Sequence, residues 1–202
     1  ARKIENTPSP NVLMNSMRSI GYNFKTALAD IIDNAVSAKA SNVCIDSPIN
    51  DFDLFVSILD DGNGMNKTDL FNAMKYGSDR DNYSDTDLGR FGLGLKSASL
   101  SQCRVLTVAS KYNGIISAYR WDLDSVIEDK KWDCLELDDN EVKQIPNIDK
   151  LKKLNQGTIV VWQNFDTAYK KSGGHIREYL MDEIDEATSH LRLVFHRFLN
   201  AT

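Results

Sequence analysis

Residues 26–40 read TALADIIDNAVSAKA, and the rest of the chain is understood most directly from this stretch. Ala27, Ile31, Ala35 and Ala38 recur at helical spacing with no Gly or Pro between them, which predicts an amphipathic helix. Asp30 and Asn34 are one turn apart, so they stand above one another on a single face. A carboxylate and a carboxamide oxygen placed this way can hold Mg²⁺ and a water, the pairing that phosphoryl chemistry requires. Two solvated positions on an exposed helix would look the same in this stretch alone.

Two glycine-rich stretches follow. LDDGNGM (59–65) comes directly after the apolar run 54–59, which predicts a strand ending at Asp60. A buried carboxylate at a strand end can accept a hydrogen bond from an exocyclic amine. Gly62 and Gly64 would let the backbone pass close to a base, and Met65 would offer it an apolar surface. The same residues are also good β-turn sequence. In LGRFGLGLKSAS (88–99), Gly89, Gly92 and Gly94 precede a helix opening at Leu95, Lys96 and Ser97. Glycines ahead of a helix start expose N–H groups to an anion, and Lys96 supplies a charge to reach phosphate. A plain helix cap is the alternative. The Walker pattern GxxxxGK[ST] is not satisfied, and no βαβ unit with an acidic residue about twenty positions on supports a dinucleotide fingerprint. Gly157-Thr158 opens the last β-like run, TIVVW (158–162).

An Asn-bearing helix, DxGxG, GxxGxG opening a helix and a later GT before a β-run, in that order, resemble the GHKL ATPases. That superfamily includes gyrase-type topoisomerases, the large heat-shock chaperone, histidine kinases, MutL and MORC proteins. The resemblance covers about residues 10 to 165, and the loop at 88–99 looks most like its MORC-type and chaperone-type versions. It implies a Bergerat-type ATP-binding fold, an α/β two-layer sandwich with helices on one face of a mixed, mostly antiparallel sheet. ATP or ADP with Mg²⁺ would lie between helices and sheet. Asp60, Gly62, Gly64, Met65 and Thr158 would receive the base, Thr158 sharing a water network with Asp60. Gly89, Arg90, Gly92, Leu93, Gly94, Leu95, Lys96 and Ser97 would wrap the triphosphate, Asn34 would hold Mg²⁺, and Asp30 would orient and deprotonate the attacking water. The family usually has Glu where this chain has Asp30, and commonly Asp where it has Ser37, which predicts slow hydrolysis. The polar segment 77–87 lies where the family's ATP lid lies, with lid and Gly-rich loop together spanning 75–95, and segment 1–22 corresponds to an arm that reaches to a partner. The implied activity is nucleotide-driven lid closure and homodimerisation acting on DNA. A chaperone-like clamp is the alternative, and a histidine kinase catalytic domain is disfavoured, since it lacks a water-activating carboxylate.

Composition sets bounds on this reading. With 202 residues, 42% of them hydrophobic, the chain has material for one substantial core and predicts a single domain, 1–202. No apolar run approaches a membrane span, so a soluble, cytoplasmic chain is expected, nuclear if the source is eukaryotic. The net charge of −5 places nucleic-acid contacts outside this domain. Cys44, Cys103 and Cys134 are odd in number and widely separated, and they read as buried free thiols; His175, His190 and His196 include no zinc-binding pair.

The remaining segments read as a helix at 11–20, strands at 42–46, 54–60, 104–110, 115–123 and 133–137, and a helix at 67–74. Tyr112-Asn113-Gly114 marks a hairpin turn. Segment 141–155 is expected to be irregular with a helical turn at 148–153, and the helical pattern 175–199, within a C-terminal segment 173–202, would lead into a further domain.

Overall fold

β3 (Val105–Tyr112) and β6 (Gly157–Gln163) carry the alternation that builds the centre of the molecule. Leu106, Val108, Val160 and Trp162 point to one face and join the larger core, while Ala109, Ile159 and Val161 point to the other and join a smaller one. The computed structural model describes residues 8–19, 22–47, 54–76 and 94–194, with the single positions 2 and 4; side chains at 17 and 190–194 are excepted.

Among these residues the sheet has six strands in the order β1-β2-β6-β3-β4-β5, every neighbouring pair antiparallel, so no parallel pair of the expected mixed kind occurs. The others are β1 (Val43–Asp46), β2 (Phe55–Asp60), β4 (Ile115–Asp122) and the two-residue edge β5 (Leu135–Glu136). β3 and β4 meet in a two-residue hairpin in which Asn113 and Gly114 both take positive φ, 50° and 80°, as the twist of paired strands demands.

The register sets side chains in rows across the larger-core face. Val56, Trp162, Leu106 and Trp121 form one row and Ile58, Val160, Val108 and Tyr119 the next. One step further along the strands the row becomes polar: Asp60, Thr158, Ser110 and Ser117. The apolar rows hold helices down; the polar row lies where the sheet stops being core.

Those helices are α1 (Pro10–Arg18), α2 (Phe24–Ser37), α4 (Gly94–Gln102) and α9 (Ile176–Val194), with α3 (Lys67–Met74), α5 (Leu123–Asp129) and α8 (Asp166–Ser172) around them. α2 starts two residues before the expected stretch because Asn23 caps it, its side chain accepting the Thr26 N–H at 2.8 Å. It buries Phe24, Leu28, Ile31 and Ile32, at about 2 kcal/mol each. α4 packs between α1, α2, α8 and β3 and is buried from Lys96 to Gln102, which suits its run of small residues. Arg18 ties α1 in place, donating to the Leu100 carbonyl at 2.7 Å and to both carboxylate oxygens of Asp166.

Two short helices add a layer that the expected one-sided arrangement lacks. α6 (Asp139–Lys143), closed by an Asp138/Glu141 capping box, and α7 (Ile148–Lys153) cover the second face through Val142, Ile148 and Leu151, with Ile145 between the two helices. All three cysteines are free; Cys103 is buried, and Cys44 and Cys134 are half-buried. Burial pushes the Cys134 thiol up to about 12, so it is protonated and unreactive near neutral pH. Among the described residues no helix is long and apolar enough to cross a membrane.

Candidate functional site

The polar row ends against the turn after β2, and this turn is stitched down on three sides. The Asp61 carboxylate accepts from the backbone N–H groups of Ser41 and Asn42 at 2.7 and 2.8 Å and from the Asn42 side chain at 2.7 Å. Burial would raise its pKa, but these bonds hold it below the usual range. Asn63 N–H donates to the Ala38 carbonyl at 2.8 Å, joining the turn to the end of α2. Met65 N–H donates to Ser110 Oγ at 2.8 Å, joining it to β3.

Two glycines are required by this packing. Gly64 sits at φ +66°, and a Cβ there would lie 2.1 Å from the Lys111 carbonyl oxygen. Gly157 sits at φ +149°, where a Cβ would lie 2.2 Å from the Asp60 carbonyl oxygen. Gly62 is likewise closed in, by Ala38. Backbone approaching backbone is therefore sufficient reason for Gly62 and Gly64.

Asp60 is 8% exposed, and its Oδ1 accepts from Gly62 N–H at 2.8 Å. Burial pushes its carboxyl up to about 6, the amides of Gly62 and Thr158 pull it back, and the charge of Asp61 adds to the rise. Thr158, opposite Asp60 in the register, brings its hydroxyl to 2.9 Å from Ser110 Oγ. Buried acceptors beside an amide-lined turn can read the hydrogen-bonding edge of a planar heterocycle, and Met65, half-buried against the larger core, adjoins them.

The other end of the site is the face of α2 that carries Asp30 and Asn34. α4 begins opposite it, and a Cβ on Gly94 would lie 3.8 Å from Asp30 Oδ2. A helix N-terminus thus faces a carboxylate and an exposed carboxamide, Asn34. Tyr22 shares a hydrogen bond with Asp30, and burial followed by the Asp30 charge raises its phenol pKa. Asp33 is half-buried and feels Asp30: burial first, then the Asp30 charge, raises its carboxyl.

Asp30, Asn34 and Gly94 are brought to one end, and Asp60, Gly62, Gly64, Met65 and Thr158 to the other. Leu95 is half-buried and Ser97 buried in the first turn of α4. Gly89, Arg90, Gly92 and Leu93, with the 77–87 segment, lie outside the described residues. Lys96 has partners within the fold that its place after the glycines does not suggest. Its side chain is fully buried and its ammonium donates to the carbonyls of Ala73 and Lys75 at 2.7 and 2.5 Å, 5.8 Å from the Tyr76 ring centroid. Three orphan carbonyls ending α3 need donors, and Lys96 serves two while Trp121 Nε1 serves Met74 at 2.9 Å. Through these bonds the lysine fastens α4 to α3.

Sequence reasoning missed Ser110 and Tyr22. The alternation of β3, with Leu106 and Val108 apolar before Ser110, signals that this serine shares the core face. Nothing in sequence marks Tyr22, eight residues before Asp30. No group of three or more His, Cys, Asp and Glu side chains gathers as a metal site among the described residues. Mg²⁺ needs less than that: it keeps several waters and takes one or two protein oxygens with phosphate oxygens, and the exposed Asn34 carboxamide is such a donor.

The protein-family model described as "Histidine kinase-, DNA gyrase B-, and HSP90-like ATPase" matches residues 22–158, an interval holding both ends of this site. The chain is also similar to a protein named ATPase morc-1 from Caenorhabditis elegans, 35% identical over 94 residues. Those residues are 46% of this chain and 11% of that protein, so the likeness spans a small fraction of the relative's length.

Proposed function

Because this chain belongs to the histidine kinase-, DNA gyrase B- and HSP90-like ATPase family, we propose that it binds ATP with Mg²⁺ between α2, α4 and the polar end of the sheet and hydrolyses it slowly. The observation that carries the reading is the polar row closing two apolar ones, with Asp60 at its head and α2 joined to the same turn through the Ala38 carbonyl. The ionised Asp60 accepts from the exocyclic amine of adenine. The triphosphate runs toward the start of α4, since a helix N-terminus and its dipole favour anions.

Asn34 holds Mg²⁺, which when bound neutralises charge on the phosphate oxygens and so eases phosphoryl transfer. Asp30 takes the proton of the attacking water, and the Tyr22 hydroxyl orients that carboxylate. An aspartate reaches about 1.5 Å less far than the family's usual glutamate, and a general base must lie within hydrogen-bond reach of its proton. That shortfall supports slow turnover.

ATP-dependent homodimerisation through the N-terminal arm and the lid segment 77–87, driving action on DNA with nucleic-acid contacts supplied from outside this domain, is the biological reading. Its support is the motif order and the likeness to a protein named ATPase morc-1. Calorimetry with MgATP and MgADP tests the binding step: both bind, and Asp60→Asn weakens each at least tenfold, about 1.4 kcal/mol. Unchanged affinity in that variant would remove the adenine assignment. Light scattering with a non-hydrolysable ATP analogue tests the dimer, which ADP should promote less.

A further inference from the structure

Ser110 lies one residue beyond the base pocket in the polar row, fully buried, and three polar groups converge on its single oxygen. Met65 N–H donates to it at 2.8 Å, the Gly157 carbonyl lies at 3.1 Å and Thr158 Oγ1 at 2.9 Å. Proton counting decides how these contacts are shared. A serine hydroxyl has one proton and two lone pairs, the Met65 amide can only donate, and the Gly157 carbonyl can only accept. If Ser110 gives its proton to Gly157, it accepts from both Met65 and Thr158, and every group at the junction is satisfied. If Ser110 instead gives its proton to Thr158, two lone-pair-bearing oxygens face one another at 3.1 Å with no hydrogen between them, in a buried setting where that is costly. The first arrangement holds.

We infer that Ser110 is a positioning residue for base specificity: by taking the Thr158 proton it leaves Thr158 as a pure acceptor beside Asp60, so that the two together select 6-aminopurine over 6-oxopurine nucleotides. The inference rests on the reading that Asp60 receives the base. Asp60 and Thr158 are register partners on neighbouring strands, which sets their side chains about 5 Å apart at Cβ. An amino group has two N–H bonds and can donate one to each of two neighbouring acceptors. A 6-oxo group in the same place meets lone pairs from both. Without Ser110 the Thr158 hydroxyl regains a free proton, can rotate to donate to O6, and the rejection relaxes.

The experiment measures Kd for MgATP and MgITP by calorimetry on the parental domain and on Ser110→Ala, Ser110→Thr and Thr158→Val. The parental protein prefers ATP by 100-fold or more. Ser110→Ala narrows that ratio at least tenfold, mostly by binding ITP better, whereas Ser110→Thr, which keeps a hydroxyl, preserves it. Thr158→Val leaves the Ser110 bonds to Met65 and Gly157 in place and narrows the ratio as Ser110→Ala does, which carries the test if the alanine variant does not fold. Equal weakening of ATP and ITP in Ser110→Ala or Thr158→Val would make Ser110 a structural tie only and overturn the inference. A parental protein that does not distinguish ATP from ITP would instead overturn the adenine reading beneath it.

Discussion

The two ends of the candidate site are built differently. Asp60, Thr158 and Ser110 belong to neighbouring strands, are at most 8% exposed, and have their hydrogen bonds already made by backbone amides and one another. Asp30 and Asn34 stand on one helix, and Asn34 is exposed. On the proposed reading the sheet fixes the base pocket before anything binds, whereas phosphate and metal would complete the α2 end. Binding specificity would then be a property of the resting fold, and turnover a property of the complex.

The sharpest break in this contrast is Asp30→Ala, which should lower ATP turnover at least about 100-fold while leaving nucleotide affinity within about twofold. Phosphate release and calorimetry on the same preparation check it, and parental turnover in the variant would show the base misassigned. Asp30→Glu should keep or raise the rate.

Next in size is the pH behaviour of Asp60. Its folded value, about 6, lies above the ordinary 3.8, so the cost of burying its charge is fully present above pH 6 and disappears as pH falls toward 3.8. The gap corresponds to about 3 kcal/mol. Asp60→Asn should therefore be more stable than the parent at pH 8, by up to that amount, with the difference shrinking at pH 5. Denaturant titration at the two pH values measures this, and a constant difference would contradict it. ATP affinity of the parent should also weaken as pH drops through 6.

Gly64→Ala should cost about 2 kcal/mol of folding stability, since it combines a left-handed backbone with a clash against the Lys111 carbonyl. A thermal midpoint within a degree of the parent would mean that the turn relaxes freely. The smallest effect separates the two ends again: Lys96→Met should lower stability by about 1 kcal/mol and weaken ATP and ADP by the same factor. A selective loss of ATP would return Lys96 to the phosphate end.

Much of this division was legible in the sequence. The helix carrying Asp30 and Asn34, the strand delivering Asp60 and the helix at 67–74 are where their periodicities predicted, because each buries a face matching its own period. α5 and α8 were not seen: each is seven residues long, too short for its period to stand out. The turn expected at 148–153 is α7, whereas α6 hid in a charged stretch because it buries no residue of its own. The helix-tying bonds of Lys96 were not legible, because a lysine after glycines at a helix start suits phosphate equally well. Its partners include the carbonyls of Ala73 and Lys75, more than twenty residues earlier, and spacing does not reveal them.

β6 is paired on both sides over nearly its whole length, to β2 and to β3. Its alignment is therefore over-determined, and the chain leading into it is released from that duty. Extra residues inserted between Leu154 and Gly157 should loop out and leave Thr158 beside Asp60. Deleting Thr158 would put every later side chain of the strand on the opposite face and bring Ile159 beside Asp60. Tolerance of length change at this site should thus switch from permissive to intolerant within a few residues, at Gly157.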